Sequence, residues 1–187
     1  MKYKHNRKMI RGVWIFCMII LVGFWNTSVF AKIGDFKPGS EPNGFRGIKW
    51  RTDISTLPDM KYLITDPSFG GTKKYTRKNE DLYLGGAELE FIMYGFWRGK
   101  FCGVWVFTED SVNWTGLRDA VFEKFGKGGQ PNKDIEYYVW SGDITWMSLN
   151  YSEISKRGHL WMTSEEIGKQ QKAYDKQKAK EGVTQDF

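Results

Sequence analysis

The chain has 187 residues, 41% hydrophobic and 17% aromatic, with 28 Lys and Arg, 22 Asp and Glu, and a formal net charge of +6. Five basic residues (Lys2, Lys4, Arg7, Lys8, Arg11) and no acidic ones lie in residues 1–31, so residues 32–187 hold 23 basic and 22 acidic residues, a net of +1. The basic excess is confined to the N-terminus, which argues against a polybasic nucleic-acid binder, and the aromatic content argues against disorder.

Residues 1–31 have the order of a secretory signal peptide. A basic stretch ends at Arg11, residues 13–25 are apolar except for Gly23, and Val29-Phe30-Ala31 places short side chains at the −3 and −1 positions. Cleavage is expected after Ala31. The competing reading is an uncleaved anchor, but this apolar run is short of the ~20 residues that span a bilayer. Either way the rest of the chain lies outside the cytoplasm, periplasmic or secreted. Cys17 and His5 leave with the leader, so the mature chain keeps only Cys102 and His159. That excludes an intramolecular disulfide and a Cys- or His-dominated zinc site. No metal and no cofactor is expected.

Residues 32–44, rich in Gly, Pro and polar side chains, read as a flexible lead-in. Residues 45–163 read as one globular domain of two modules, 45–110 and 111–163. The first has a short helix at 53–60 interrupted by Pro58, long loop character through 61–86, and strands near 74–77, 87–97 and 100–108. The second begins with a helix at 113–125, where Trp114, Leu117, Val121 and Phe125 form one apolar stripe. Asn113 or Thr115 would cap its start and Gly126 end it. A loop at 126–134 leads to strands at 135–140, 144–151 and 158–163. Arg98-Gly99 and residues 153–157 are hairpin links. Residues 164–187 read as a solvated polar helix and tail with i,i+4 pairs. The fold class is α+β, an antiparallel sheet with helices packed on one face in two similar helix-plus-three-strand modules.

Side chains alternate across a strand, so each strand can be sorted into two sets. One set is largely aliphatic, with Cys102, Val104 and Val106 in 100–108, Met147 and Leu149 in 144–151, and Leu160 and Met162 in 158–163. The other is ring-rich. It supplies the candidate binding residues Trp105, Tyr138, Trp140, Trp146, His159 and Trp161, with Phe101 and Phe107 on the same side. Trp and Tyr join large apolar area to a polar tip and are enriched where proteins grip partners or stack on sugars. The competing reading is a second core layer.

Catalytic arrangements are weaker. Cys102 and His159 fall in opposite sets and should point apart, which leaves an inert thiol and a partner-facing or hydrogen-bonded imidazole. Glu88 and Glu90 share a strand face at a spacing suited to paired carboxylates, with nothing else to mark them. Gly85-Gly86 and residues 126–129 lack phosphate-loop spacing and read as turns. These residues predict a non-catalytic binding or envelope protein-interaction module with a protein partner. The alternatives are a small envelope hydrolase using carboxylates and a carbohydrate-binding module.

The helix, Lys124-Phe125-Gly126, a loop, the strand with Tyr138 and Trp140, and two hairpin strands together resemble small periplasmic modules. These are the beta-lactamase-inhibitor-protein-like and SmpA/OmlA-like (outer-membrane-assembly lipoprotein) modules. The resemblance spans residues 113–163 and, more loosely, 45–108. It implies tandem helix-plus-sheet units whose open sheet face binds proteins, without catalysis. The chain departs from the lipoprotein branch in having no cysteine at the cleavage site, and from the inhibitor branch in having no cysteine pairs.

Overall fold

Tight turns with two consecutive residues at positive φ, the geometry that matches strand twist, fold much of this chain into antiparallel hairpins. The computed structural model describes residues 33–186, with side chains through residue 181, so the expected leader at 1–31 lies outside the described residues. In chain order, β1 (Gly44–Phe45) and β2 (Ile48–Lys49) form a small hairpin turned by Arg46-Gly47. A 3-10 turn at Ile54–Thr56 follows, then β3 (Met60–Asp66) and β4 (Thr72–Arg77). A second small hairpin, β5 (Tyr83–Leu84) and β6 (Ala87–Glu88), turns at Gly85-Gly86. The strands β7 (Phe91–Trp97) and β8 (Lys100–Glu109) turn at Arg98-Gly99 and lead to helix α1 (Ser111–Phe125). Strands β9 (Tyr137–Ser141), β10 (Thr145–Ser152) and β11 (Arg157–Ser164) come next, and helix α2 (Glu165–Asp186) is the last element of the described residues.

Seven strands make one antiparallel sheet in the order β3-β4-β7-β8-β11-β10-β9. The α+β class is as expected, and the second half keeps its helix-plus-three-strand order. The first half differs. The segment expected as a helix at 53–60 is only the 3-10 turn, capped by the Asp53 carboxylate accepting from the Ser55 N–H. The segment at 61–66, expected as loop, is the exposed edge strand β3. The first half therefore contributes four sheet strands and no α-helix.

Helix α1 buries the expected stripe of Trp114, Leu117, Val121 and Phe125. Its cap is Asp110, whose carboxylate accepts from the Asn113 N–H. Asn113 itself, one of the expected caps, accepts instead from the Glu88 N–H and ties α1 to β6. Beneath α1 the core gathers Tyr94, Phe96, Phe101, Val104, Val106, Met147, Leu149, Leu160 and Met162.

Two further expectations are corrected. Within the lead-in, the described residues are docked on the body: the Lys37 N–H donates to Phe125 O at 2.7 Å, Phe36 meets Phe125 edge-on, and the Glu41 carboxylate accepts from the Ile144 and Thr145 N–H groups. The helices also lie on both faces of the sheet. On the face away from α1, α2 seats the buried Ile167 with Trp97 and Cys102, and Tyr174 and Phe69 close around them. Ile167 and Tyr174 are seven residues apart, two turns along one side of the helix.

Candidate functional site

On the sheet face away from α1, the register sets rings side by side. Phe91 pairs with Phe107, and Phe107 with His159. The two Phe rings stack at 4.3 Å between centroids, and His159 meets Phe107 edge-on at 4.7 Å. In the neighbouring row, Met93 pairs with Trp105, and Trp105 with Trp161. The two indoles lie near parallel at 5.9 Å, and Trp146 of β10 meets Trp161 edge-on at 5.1 Å. The Lys74 ammonium from β4 sits 4.7 Å from the Trp105 centroid, a cation–π contact that closes this row.

Glycines inside strands make room for this arrangement. Gly95 and Gly103 face each other across β7 and β8, and a Cβ on Gly95 would lie 2.6 Å from the Trp105 ring. The indole therefore leans onto bare backbone, a close approach that interior glycines permit.

Exposure separates the covered part of this face from the rest. Under α2, Trp97 is 4% exposed, whereas Trp161 beyond it is 39% exposed. Trp105, Trp146, Phe107 and His159 are half-buried. Hydrogen bonding divides the indoles in a similar way, except that the buried Trp114 also donates to no acceptor among the described residues. The indoles of Trp50, Trp97 and Trp140 donate to Thr145 Oγ1, Phe69 O and Gly126 O, at 2.7, 2.8 and 3.1 Å. Among the described residues, those of Trp105, Trp146 and Trp161 donate to no acceptor, so their polar edges are left for water or a ligand.

Of the six candidate binding residues, the structure brings Trp105, Trp146, His159 and Trp161 together and separates the other two. Tyr138 and Trp140 lie on the α1 side, 4% and 0% exposed, against Phe122. Alternation assigns residues of a strand to two sets, but it does not say which set meets the helix. In β9 the ring-bearing set does. Gly128 lies directly over the Trp140 indole, where a Cβ would come within 2.6 Å.

A bulge corrects a second pair. Gly95 pairs with Gly103, but Phe96 pairs with Phe101, so β8 carries one extra residue at Cys102. Phe101 turns into the main core, and Cys102 packs beneath α2 instead of with Val104 and Val106.

The side chains capable of chemistry are otherwise engaged. Burial pushes the Cys102 thiol up to about 12, and its Sγ donates to Gly95 O at 3.3 Å. A thiol so protonated is a poor nucleophile. Burial, and then the nearby Arg157 guanidinium, hold the His159 imidazole below its ordinary value of 6.5, with Glu90 opposing. The ring lies edge-on against Phe107, five β8 residues along from Cys102. The Arg157 guanidinium donates to Glu90 at 2.7 Å and lies 3.4 Å from Glu109, while Glu88 is exposed on β6. Glu88 thus faces solvent, while Glu90 is held in the Arg157 ion pair. Among the described residues, no cluster of three His, Cys, Asp or Glu side chains could hold a metal, and no helix is long and apolar enough to cross a membrane.

No protein-family model, no curated protein and no solved structure matches the chain.

Sequence reasoning left Lys74, Phe91 and Met93 off this face. Lys74 and Met93 carried no visible mark. The paired Gly95 and Gly103 were a legible one, because glycine within an apolar strand announces that something large must lie close.

Proposed function

We propose that this chain is an exported, non-catalytic binding protein that grips a protein partner of the cell envelope or extracellular space through the open aromatic face of its sheet. The observation that carries this reading is the row Trp105, Trp161 and Trp146 on three adjacent strands, with partly exposed rings and unengaged indole N–H groups. Indoles in such a state gain apolar burial and a hydrogen bond on binding, at little cost in side-chain entropy. The leader-like residues 1–31 support export, and the resemblance to periplasmic modules points to the same use of a sheet face.

Site-specific photocrosslinking tests the reading. A photoreactive residue replacing Asn150, beside His159 on β10, should trap a discrete partner in the native envelope. Trp161→Ala or Trp146→Ala should each abolish that adduct, since losing one such anchor costs at least ~2 kcal/mol of binding. A photoreactive residue replacing the exposed Thr115 on α1 should trap nothing comparable. Equal adducts from both positions, insensitive to the Trp changes, would overturn the proposal. The near-parallel Trp105 and Trp161 also suit stacking on a sugar ring, and saturable quenching of Trp fluorescence by a glycan would select that second reading.

A further inference from the structure

We propose that the α1 side of the sheet holds a second, independent site, for a single-chain carboxylate with an apolar tail. A cavity of about 680 Å³ opens there between α1 and the two small hairpins, a volume within the range of small-molecule sites and far above the voids of a packed core. Its floor is core: Val121 and Phe125 from α1, Leu160 and Met162 from β11. Phe45 of β1, itself a core residue, and Leu84 of β5 also line the cavity. These floor side chains are only 1–6% exposed, so an apolar chain entering would lie on their edges and on Leu84 and Ala120 at the wall.

The rim supplies the charge preference. Four cations (Arg46, Arg77, Lys78, Lys124) and three carboxylates (Asp59, Glu80, Asp81) line it. The guanidiniums are committed, Arg46 to Glu80 and to the carbonyls of Asp81 and Tyr83, and Arg77 to Asp59. Glu80 also accepts from the Tyr94 hydroxyl at 2.7 Å, so this wall is a closed polar network. The Asp81 carboxylate is taken by the Tyr83 N–H of its own turn. Among the described residues, Lys78 and Lys124 form no ion pair, and both are exposed at the mouth. The rim thus keeps a surplus of one positive charge on two lysines, above an apolar floor, which fits one anionic head on one apolar tail. The aromatic face lies on the opposite side of the sheet, so this site stands or falls apart from it.

The test titrates the full chain with decanoate, below its micellar concentration, and follows the methyl signals of Val121, Leu160 and Met162 and the indole signals of Trp105 and Trp161 by NMR. Decanoate should shift the methyl signals saturably and leave the indoles in place. The cationic decyltrimethylammonium should bind at least tenfold more weakly. The double variant Lys78→Gln, Lys124→Gln changes only exposed side chains, so its folding is checked by an unchanged amide spectrum, and it should lose decanoate affinity at least tenfold. Trp161→Ala should bind decanoate as the parent does. No saturable shift at the cavity, equal binding of the cation, an unaffected double variant, or shifts confined to the indoles would each overturn the proposal.

Discussion

Trp140 on β9 and Trp161 on β11 belong to one sheet, with only β10 between them. Trp140 is fully buried, donates its N–H to Gly126 O, and carries Gly128 on its ring face. Trp161 is 39% exposed, touches Trp105 and Trp146, and donates to nothing among the described residues. The two faces are similarly rich in rings, so ring content does not tell core from contact surface. The difference lies in closure: one face has a helix, a lead-in and two hairpins laid on it, while the other is covered only at the α2 end. The proposed contact surface is that open remainder, where Trp105, Trp146 and Trp161 stay partly exposed.

The sharpest way to break this contrast is to truncate both indoles. Trp140→Ala should cost about 3–5 kcal/mol in chemical denaturation, the usual price of emptying a buried aromatic site. Trp161→Ala should cost less than about 1 kcal/mol, as a partly exposed position away from caps and buried networks does. Comparable losses would mean that the open face is a structural layer after all.

Gly95 probes how the open rings are held. Gly95→Ala places a Cβ where the Trp105 six-membered ring lies, so the indole must swing off its seat and away from its near-parallel partner. Stability should fall by about 1–2 kcal/mol, in the range for overpacking, with a changed near-ultraviolet circular dichroism spectrum. Combining Gly95→Ala with Trp105→Ala should recover most of that loss, because the colliding ring is gone. Simple additivity of the two changes would show that Trp105 does not rest on Gly95.

Much of this contrast was legible beforehand, and the failures have physical causes. The α1 stripe was readable because four large apolar residues at helical spacing leave no other economical burial. Trp105, Trp146, His159 and Trp161 were readable because strands β8, β10 and β11 alternate strongly enough to fix which residues share a side. Tyr138 and Trp140 were misplaced because alternation has no sign: in β9 Tyr138 and Trp140, rather than Tyr137 and Val139, are the residues that meet α1. Cys102 and Phe101 changed places because one inserted residue reverses every side chain beyond it. Strand β3 was hidden because an exposed edge with Lys61, Tyr62, Leu63 and Ile64 shows no buried face to read. Among the described residues, the docking of α2 rests on two apolar anchors, Ile167 and Tyr174, in a stretch otherwise dominated by charge, and the pattern was too sparse to distinguish it from a solvated one.

The smallest effect concerns His159, where the open face meets the Arg157 ion pairs. Its imidazole is held below 6.5 in the folded chain by burial and Arg157, against the pull of Glu90. The unfolded chain therefore takes up a proton at higher pH than the folded one. The stability linked to this ring is fully present above 6.5 and is lost as pH falls through the lowered folded value. Denaturation between about pH 7 and pH 5 should show a stability decline that His159→Gln flattens, since glutamine has nothing to titrate. A variant with the parent's slope would place the imidazole in free solvent, and His159 would then be rim rather than part of the ring array. If binding to the aromatic face buries this imidazole further, its protonation is disfavoured again in the complex. Partner affinity should then fall with pH over the same interval in the parent and not in the variant, which would place His159 inside the contact.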